Sequence, residues 1–319
     1  SITVGDFTGD GLNEILSTDS RSTVFLLESK LGIDKTIWTY PFKIGKGLIV
    51  QVLAVNADND DALEIVVVSE NSISIIYDLD DIAVELISTD DTIRFAQIAD
   101  TNRDGILDIA YLLTSNNPDN DERLVVRSLT TTSTEIISIP TNGVKEIAFG
   151  DVDEDSNLEL VTSNGLVYDA FTWQNQWRSD NEFGTSSIFL ADVNNNGIDE
   201  IVGADVWGSL TIYSAVDQAP LAMLEGVNSC SLTAANVDTD NADEIILGDC
   251  QLGNVTAYDL VEDRLEQVWS TSTQNYGSIS LISGDSDNDG ELEIHWGSGI
   301  GSSGSNSFVS VDLNATSAT

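Results

Sequence analysis

Basic residues are scarce in this chain: 12 lysines and arginines, five of them lysine, stand against 54 acids, a formal charge of −42 over 319 residues. So acidic a molecule is repelled by nucleic acid and by anionic membranes, which excludes both as partners. No apolar run approaches the ~20 residues of a membrane-spanning helix. No secretory leader opens the sequence either, so it is expected to be a mature product or a segment of a longer protein. Histidine occurs once, as His295 beside Trp296, with no nucleophile signature around it; it reads as a packed or solvated strand residue. Paired carboxylates can cleave glycosidic bonds. With 54 acids, however, some pair always lies at the right separation. No catalytic residue is assigned, and the chain is expected not to be an enzyme.

What is abundant is aspartate, and it is patterned. A nine-residue acidic loop opens at Asp6 and again at Asn56, Asp100, Asp151, Asp192, Asn236 and Asp285, with successive starts 41 to 51 residues apart. A period in the forties marks a propeller or similar array, because one such unit is a small sheet that cannot bury its faces alone. The expectation is an all-β, seven-bladed ring occupying residues 1–319 as one domain.

Positions one, three, five and nine of each loop carry oxygen-bearing side chains. They are Asp6, Thr8, Asp10 and Glu14 in the first copy, and Asn56, Asp58, Asp60 and Glu64 in the second. Asp100, Asn102, Asp104 and Asp108 follow, then Asp151, Asp153, Asp155 and Glu159. The last three sets are Asp192, Asn194, Asn196 and Glu200; Asn236, Asp238, Asp240 and Glu244; and Asp285, Asp287, Asp289 and Glu293. Alternation puts these groups on one side of a tight turn, and the backbone carbonyl at position seven (Leu12, Ala62, Ile106, Asn157, Ile198, Ala242, Glu291) can add a further ligand. All-oxygen, carboxylate-rich ligation selects calcium over zinc or copper, so up to seven calcium ions are expected. Position six must bend sharply. It is Gly11, Gly105, Gly197 and Gly290 in odd-numbered copies and Asp61, Ser156 and Asn241 in even ones. Glycine takes the left-handed conformation freely and Asn or Asp tolerates it, so Ser156 fits least well. The fifth loop has only two acids, Asp192 and Glu200, and should bind most weakly. Acids at these loop positions number 22, and seven divalent ions would reduce the charge from −42 to −28, so ligation accounts for part of the acidic excess.

A small or compact residue precedes each loop and an aliphatic follows each closing acid, from Gly5 and Ile15 to Gly284 and Ile294. Short β-branched runs such as Glu64 to Val68 and Ser72 to Tyr77 read as strands, so each loop joins strands A and B of a blade, with C and D following. With these flanks, the segments Val4 to Gly11, Phe149 to Asp153 and Gly284 to Gly290 resemble the FG-GAP (VCBS-type) repeats of integrin alpha-subunit propellers and bacterial surface proteins. Glutamate in place of the more usual aspartate at position nine of six loops is a mild departure. The resemblance covers essentially the whole chain. It implies calcium in the A-to-B loops and partner binding on the opposite face, formed by B-to-C and D-to-A connections. The function expected from it is that of a calcium-stabilised, extracellular recognition or adhesion module, secreted or at the cell surface, for a protein or glycan partner. The alternative is a polysaccharide-active lyase or hydrolase, or a lectin, on the same scaffold.

Three expectations are more local. If the sixth hairpin closes symmetrically about Asp240, Cys230 and Cys250 are directly opposed and form a disulfide. The partner-binding candidates are the polar insertion Thr114 to Arg123, with Asn116, Asn117, Asp119, Asp121 and Arg123, and Trp207, which sits on a B-to-C connection while the other tryptophans fill spaces between blades. The seventh blade has segments for only three strands, ending near Leu313, so strand addition from a neighbouring segment or partner chain is expected at its edge.

Overall fold

A computed structural model of the chain describes residues 1–319 except 20–21, 31–32, 42, 59, 116–121, 156, 238–239, 252, 273–276, 299–306 and 314–319. Among the described residues there are only strands and turns, and two compact units: residues 1–143 with 284–291, and residues 144–283 with 292–319. The first carries three antiparallel four-stranded sheets. They are β1 (Ile2–Gly5), β2 (Glu14–Thr18), β3 (Val24–Lys30) and β4 (Ile33–Thr39); β5 (Ile49–Val55), β6 (Glu64–Ser69), β7 (Ser72–Ile76) and β8 (Val84–Ser88); and β9 (Thr92–Ala99), β10 (Asp108–Thr114), β11 (Arg123–Ser128) and β12 (Glu135–Pro140).

The second unit begins with β13 (Ile147–Gly150), β14 (Glu159–Thr162), β15 (Leu166–Asp169) and β16 (Asn175–Arg178). Next come β17 (Ser187–Ala191), β18 (Glu200–Ala204), β19 (Gly208–Ser214) and β20 (Ala219–Val227), then β21 (Ser229–Ala235), β22 (Glu244–Asp249), β23 (Asn254–Val261) and β24 (Arg264–Ser272). The last sheet holds three strands among the described residues: β25 (Ser278–Gly284), β26 (Glu293–Ser298) and β27 (Ser307–Asp312). Every sheet is a meander in chain order.

The second strand of a sheet is buried along most of its length. All six residues of β6 and all five of β18 are inaccessible, whereas the fourth strands β8 and β16 are largely exposed. The apolar clusters explain the gradient, because they lie between consecutive sheets. Val66, Val68 and Ile75 pack with Ile93, Ile109 and Tyr111. Val161, Val167 and Trp177 pack with Phe183, Ile201 and Tyr213, where Phe183 stands 5.0 Å from both other rings. Each fully buried Val, Leu or Ile contributes about 1.5–3 kcal/mol, so one sheet without its neighbour would forfeit most of its stabilisation.

Register places the acidic loops. Gly5 pairs with Glu14, Val55 with Glu64, Ala99 with Asp108, Gly150 with Glu159, Ala191 with Glu200 and Ala235 with Glu244. The closing acid is therefore the first residue of the second strand, held by the ladder. Consecutive loops are also tied together. The position-eight N–H of Leu63 donates to the Asp6 carbonyl at 2.8 Å, that of Asp199 to Asp151 at 2.9 Å, and that of Asp243 to Asp192 at 3.2 Å.

Cys230 and Cys250 are disulfide-bonded, with Cα atoms 4.9 Å apart. Their placement differs from the symmetric hairpin. The ladder runs Ser231 to Gly248 and Ser229 to Asp249, so Cys230 is the extra residue of a β-bulge and is not directly opposed to Cys250. Of the six tryptophans, Trp296 and Trp177 are buried, Trp38, Trp173 and Trp269 are half-buried, and Trp207 alone is exposed. His295 is fully buried in β26, stacked on Phe308.

Candidate metal centres

One hydrogen bond is common to all seven loops: the position-five side chain accepts the position-seven N–H. The pairs are Asp10–Leu12, Asp60–Ala62, Asp104–Ile106, Asp155–Asn157, Asn196–Ile198, Asp240–Ala242 and Asp289–Glu291, at 2.7 to 2.9 Å. This short side-chain-to-backbone turn is what Asp and Asn favour, so the local sequence sets it.

Odd and even copies then part. In the first loop the Asp6 carboxylate accepts from Gly9 N–H at 2.7 Å and Gly11 N–H at 2.8 Å. Asp100, Asp192 and Asp285 likewise accept from the N–H of Gly105, Gly197 and Gly290. These four loops bend left-handed twice. Position six has φ between 80° and 92°, and position four (Gly9, Arg103, Asn195, Asn288) has φ between 55° and 70°. Asp61 and Asn241 do not take the left-handed conformation expected at position six. The reason lies at position one, where Asn56 and Asn236 donate their amides to the carbonyls of Asp60 and Asp240, at 3.0 and 2.6 Å, and so draw that turn in differently. Ser156 lies outside the described residues. A left-handed position four is not among the sequence expectations; Gly9, Asn195 and Asn288 are residues that favour it, and Arg103 adopts it without that signal.

The closing acid is at most 4 % exposed in every copy. In six loops one of its oxygens accepts the position-two N–H, from Phe7, Ala57, Thr101, Val152, Val193 and Val237. The other oxygen separates the copies. Glu64 Oε1, Asp108 Oδ1 and Glu159 Oε1 are buried and make no hydrogen bond. Glu14 Oε1 is met by the Thr8 hydroxyl at 3.1 Å, and Glu200 Oε1 by the amide of Asn194 at 2.6 Å. In the first and fifth loops a neighbouring side chain thus satisfies an oxygen that the second, third and fourth leave open.

Carboxylate oxygens converge to within 4.8 Å of one another in five copies: Asp6, Asp10 and Glu14; Asp58, Asp60 and Glu64; Asp151, Asp153 and Glu159; Asp240, Glu244 and Asp259; and Asp285, Asp287, Asp289 and Glu293. No three acids converge this closely in the third or fifth loop among the described residues. The third has Asp108 where the others have glutamate, one methylene shorter, and the fifth lacks acids. Asp238 lies outside the described residues. Asp259 takes part unexpectedly. It follows Tyr258, the partner of Ile245 on β23, so it reaches the sixth loop through sheet register.

Electrostatics follow from this crowding. Burial, with the other loop acids adding repulsion, raises the carboxyls of Glu14, Glu64 and Asp108 and brings Glu159 to about 8 and Glu200 to about 7. Asp199 and Asp243 are raised for the same reasons, burial first, with repulsion from Asp151, Asp192 and Asp243 on the first and from Asp192 on the second. A buried carboxylate oxygen without a donor, beside others of its kind, is a costly arrangement that a divalent cation relieves. The donor set, oxygen throughout, fits a hard cation such as calcium.

Of the partner-binding candidates, Asn116, Asn117, Asp119 and Asp121 lie outside the described residues. Arg123 is exposed at the start of β11, and Trp207 is 67 % exposed in the β18–β19 turn. No helix among the described residues is long and apolar enough to cross a membrane.

No protein-family model and no curated protein matches the chain. Solved structures do. A BBS1 N-terminal fragment crystallised in complex with an ARL6 fragment shares 13 % identity at a TM-score of 0.71, covering 99 % of this chain and 92 % of that one. The Dos1 propeller matches at 13 % identity and TM-score 0.58, over 92 % of this chain and 75 % of that one. A rhamnogalacturonan lyase of Bacillus licheniformis matches at 14 % identity and TM-score 0.56, over 99 % and 72 %. With seven meander sheets, the chain has the seven-bladed β-propeller fold.

Proposed function

We propose that this propeller is a calcium-stabilised recognition or adhesion module of the FG-GAP (VCBS) type, similar to integrin alpha-subunit propellers, and that it works outside the cell without catalysing a reaction. The observation that carries the reading is the closing acid: Glu64 and Glu159 each bury a carboxylate oxygen without a hydrogen bond amid two further loop acids. Calcium held there would bind the A-to-B hairpin of each blade to its own second strand. The fifth loop, whose Glu200 is already met by Asn194, is the weakest site. The disulfide supports an oxidising, extracellular setting. Equilibrium dialysis against calcium tests the metal reading: several ions per chain are expected, and no bound ion would overturn it.

A second reading rests on the fold shared with the rhamnogalacturonan lyase. Incubation with rhamnogalacturonan separates the two. New unsaturated chain ends would make the protein a lyase; intact polymer is the outcome the recognition reading requires.

A further inference from the structure

The B-to-C turn of the fifth blade is built with unusual care for a surface turn. The Asp205 carboxylate accepts from the N–H and hydroxyl of Thr185, at 3.1 and 2.6 Å, and from the N–H and hydroxyl of Ser209, at 3.4 and 3.3 Å. The Asp205 N–H closes the turn on the Ser209 carbonyl at 2.9 Å. Gly208 must stay a glycine, since a Cβ there would meet the Asp205 carboxylate at 2.7 Å. What this turn presents is Trp207, two-thirds exposed.

Beside it the outer strand β20 makes room. Ser209 pairs with Glu225 and Gly208 with Val227, so Gly226 is the extra residue of a bulge, with φ of 80° and open space where its side chain would be. Met223, 55 % exposed, is two residues from Glu225 and so lies on the same face of the strand. The result is an open surface depression of about 500 Å³ lined by Trp207, Gly208, Ser209, Met223, Glu225, Gly226 and Val227.

We infer that this open depression binds a neutral sugar unit of a glycan, stacked on Trp207 and hydrogen-bonded to Glu225 and Ser209. The inference rests on the recognition reading and names its ligand class. The indole of Trp207, presented to water by a hydrogen-bonded turn, offers a flat apolar face to the C–H face of a pyranose ring. A carboxylate and a hydroxyl at the rim supply acceptors for the ring hydroxyls. Glu225 at the rim, within a chain of charge −42, disfavours uronic and sulfated sugars here. The open space of about 500 Å³ exceeds what a lone lysine or arginine head group fills, and the Trp207 face beside the Ser209 hydroxyl suits a ring that carries both C–H and O–H groups.

The test uses the whole chain in millimolar calcium, titrated calorimetrically with neutral β-linked tetrasaccharides of glucose, galactose and mannose, with a tetralysine peptide as the cationic probe. At least one tetrasaccharide should bind. Trp207→Ala should weaken it by about tenfold or more, the scale set by losing a stacked aromatic contact. An unchanged melting curve would show that this exposed substitution leaves the fold intact. Glu225→Gln keeps an acceptor and should cost less than about threefold, whereas a cationic guest would lose far more with the charge. Tetralysine binding that vanishes in Glu225→Gln, with no sugar binding, overturns the ligand class. Sugar binding unaffected by Trp207→Ala overturns the site and leaves the recognition reading intact. Binding of neither probe also overturns the site, and leaves that reading to be judged by calcium dialysis and the lyase assay.

Discussion

Removing calcium should lower the melting temperature steeply, and the size of the fall follows from the loops. Five copies bring three or more acids within 4.8 Å of one another. With free calcium tenfold above a site's dissociation constant, each independent site adds about 1.4 kcal/mol to the folded state. Five sites would add about 7 kcal/mol, the scale of a whole domain's stability. Per-residue unfolding entropy scaled to this length gives about 1.5 °C per kcal/mol, hence a fall of about 10 °C. Scanning calorimetry in millimolar calcium and then in excess EDTA measures it, and superimposable curves would refute the reasoning. Glu159→Gln sharpens the test, because its effect should change sign. In EDTA the variant should melt above the parent, since it removes the cost of burying a carboxyl that the unfolded chain would ionise; in calcium it should melt below, by about 1.4 kcal/mol, since a ligand has been lost. A variant that destabilises equally in both media would mean that Glu159 is merely structural.

Acid should act oppositely on the two forms. Because burial raises the closing carboxyls above the ordinary 4.5 of the unfolded chain, to about 8 for Glu159 and about 7 for Glu200, the metal-free folded state binds more protons across that interval. Metal-free stability should therefore fall as pH rises from about 5 to 8, while the calcium-loaded form should lose stability as pH falls and protons compete for the ligands; parallel pH profiles with and without EDTA would contradict this. Replacing Cys230 and Cys250 together by serine opens a bridge spanning 20 residues. That should cost about 3 kcal/mol, read from denaturant midpoints, with no loss of bound calcium. Glu146 accepts the Ile188 N–H at 3.0 Å and the Ser187 hydroxyl at 2.9 Å, linking the fourth blade to the fifth. Glu146→Ala should cost about 1–3 kcal/mol by leaving those donors without their acceptor, and an unchanged midpoint would count against the link.

The sequence by itself determined what is set within a few residues of chain. Seven acidic loops gave seven sheets, the Asp or Asn at position five made the same short turn in every copy, and the aliphatic after each closing acid entered a buried second strand. These outcomes need only local turn chemistry and an apolar run long enough for a strand. Tertiary structure decided whatever depends on register and on which groups meet across it. A bulge moved Cys230 off the position opposite Cys250 while still allowing the disulfide. An amide in the first position of the second and sixth loops replaced the expected left-handed bend. Asp259 joined the sixth loop from a third strand, and Asn194 covered an oxygen of Glu200 whose counterpart stays open in Glu159. A one-residue shift in a ladder reverses the face of every side chain, and a buried oxygen is satisfied or not within a few tenths of an ångström. Neither is written in spacing alone, because both are settled only when sheets pack and exclude water.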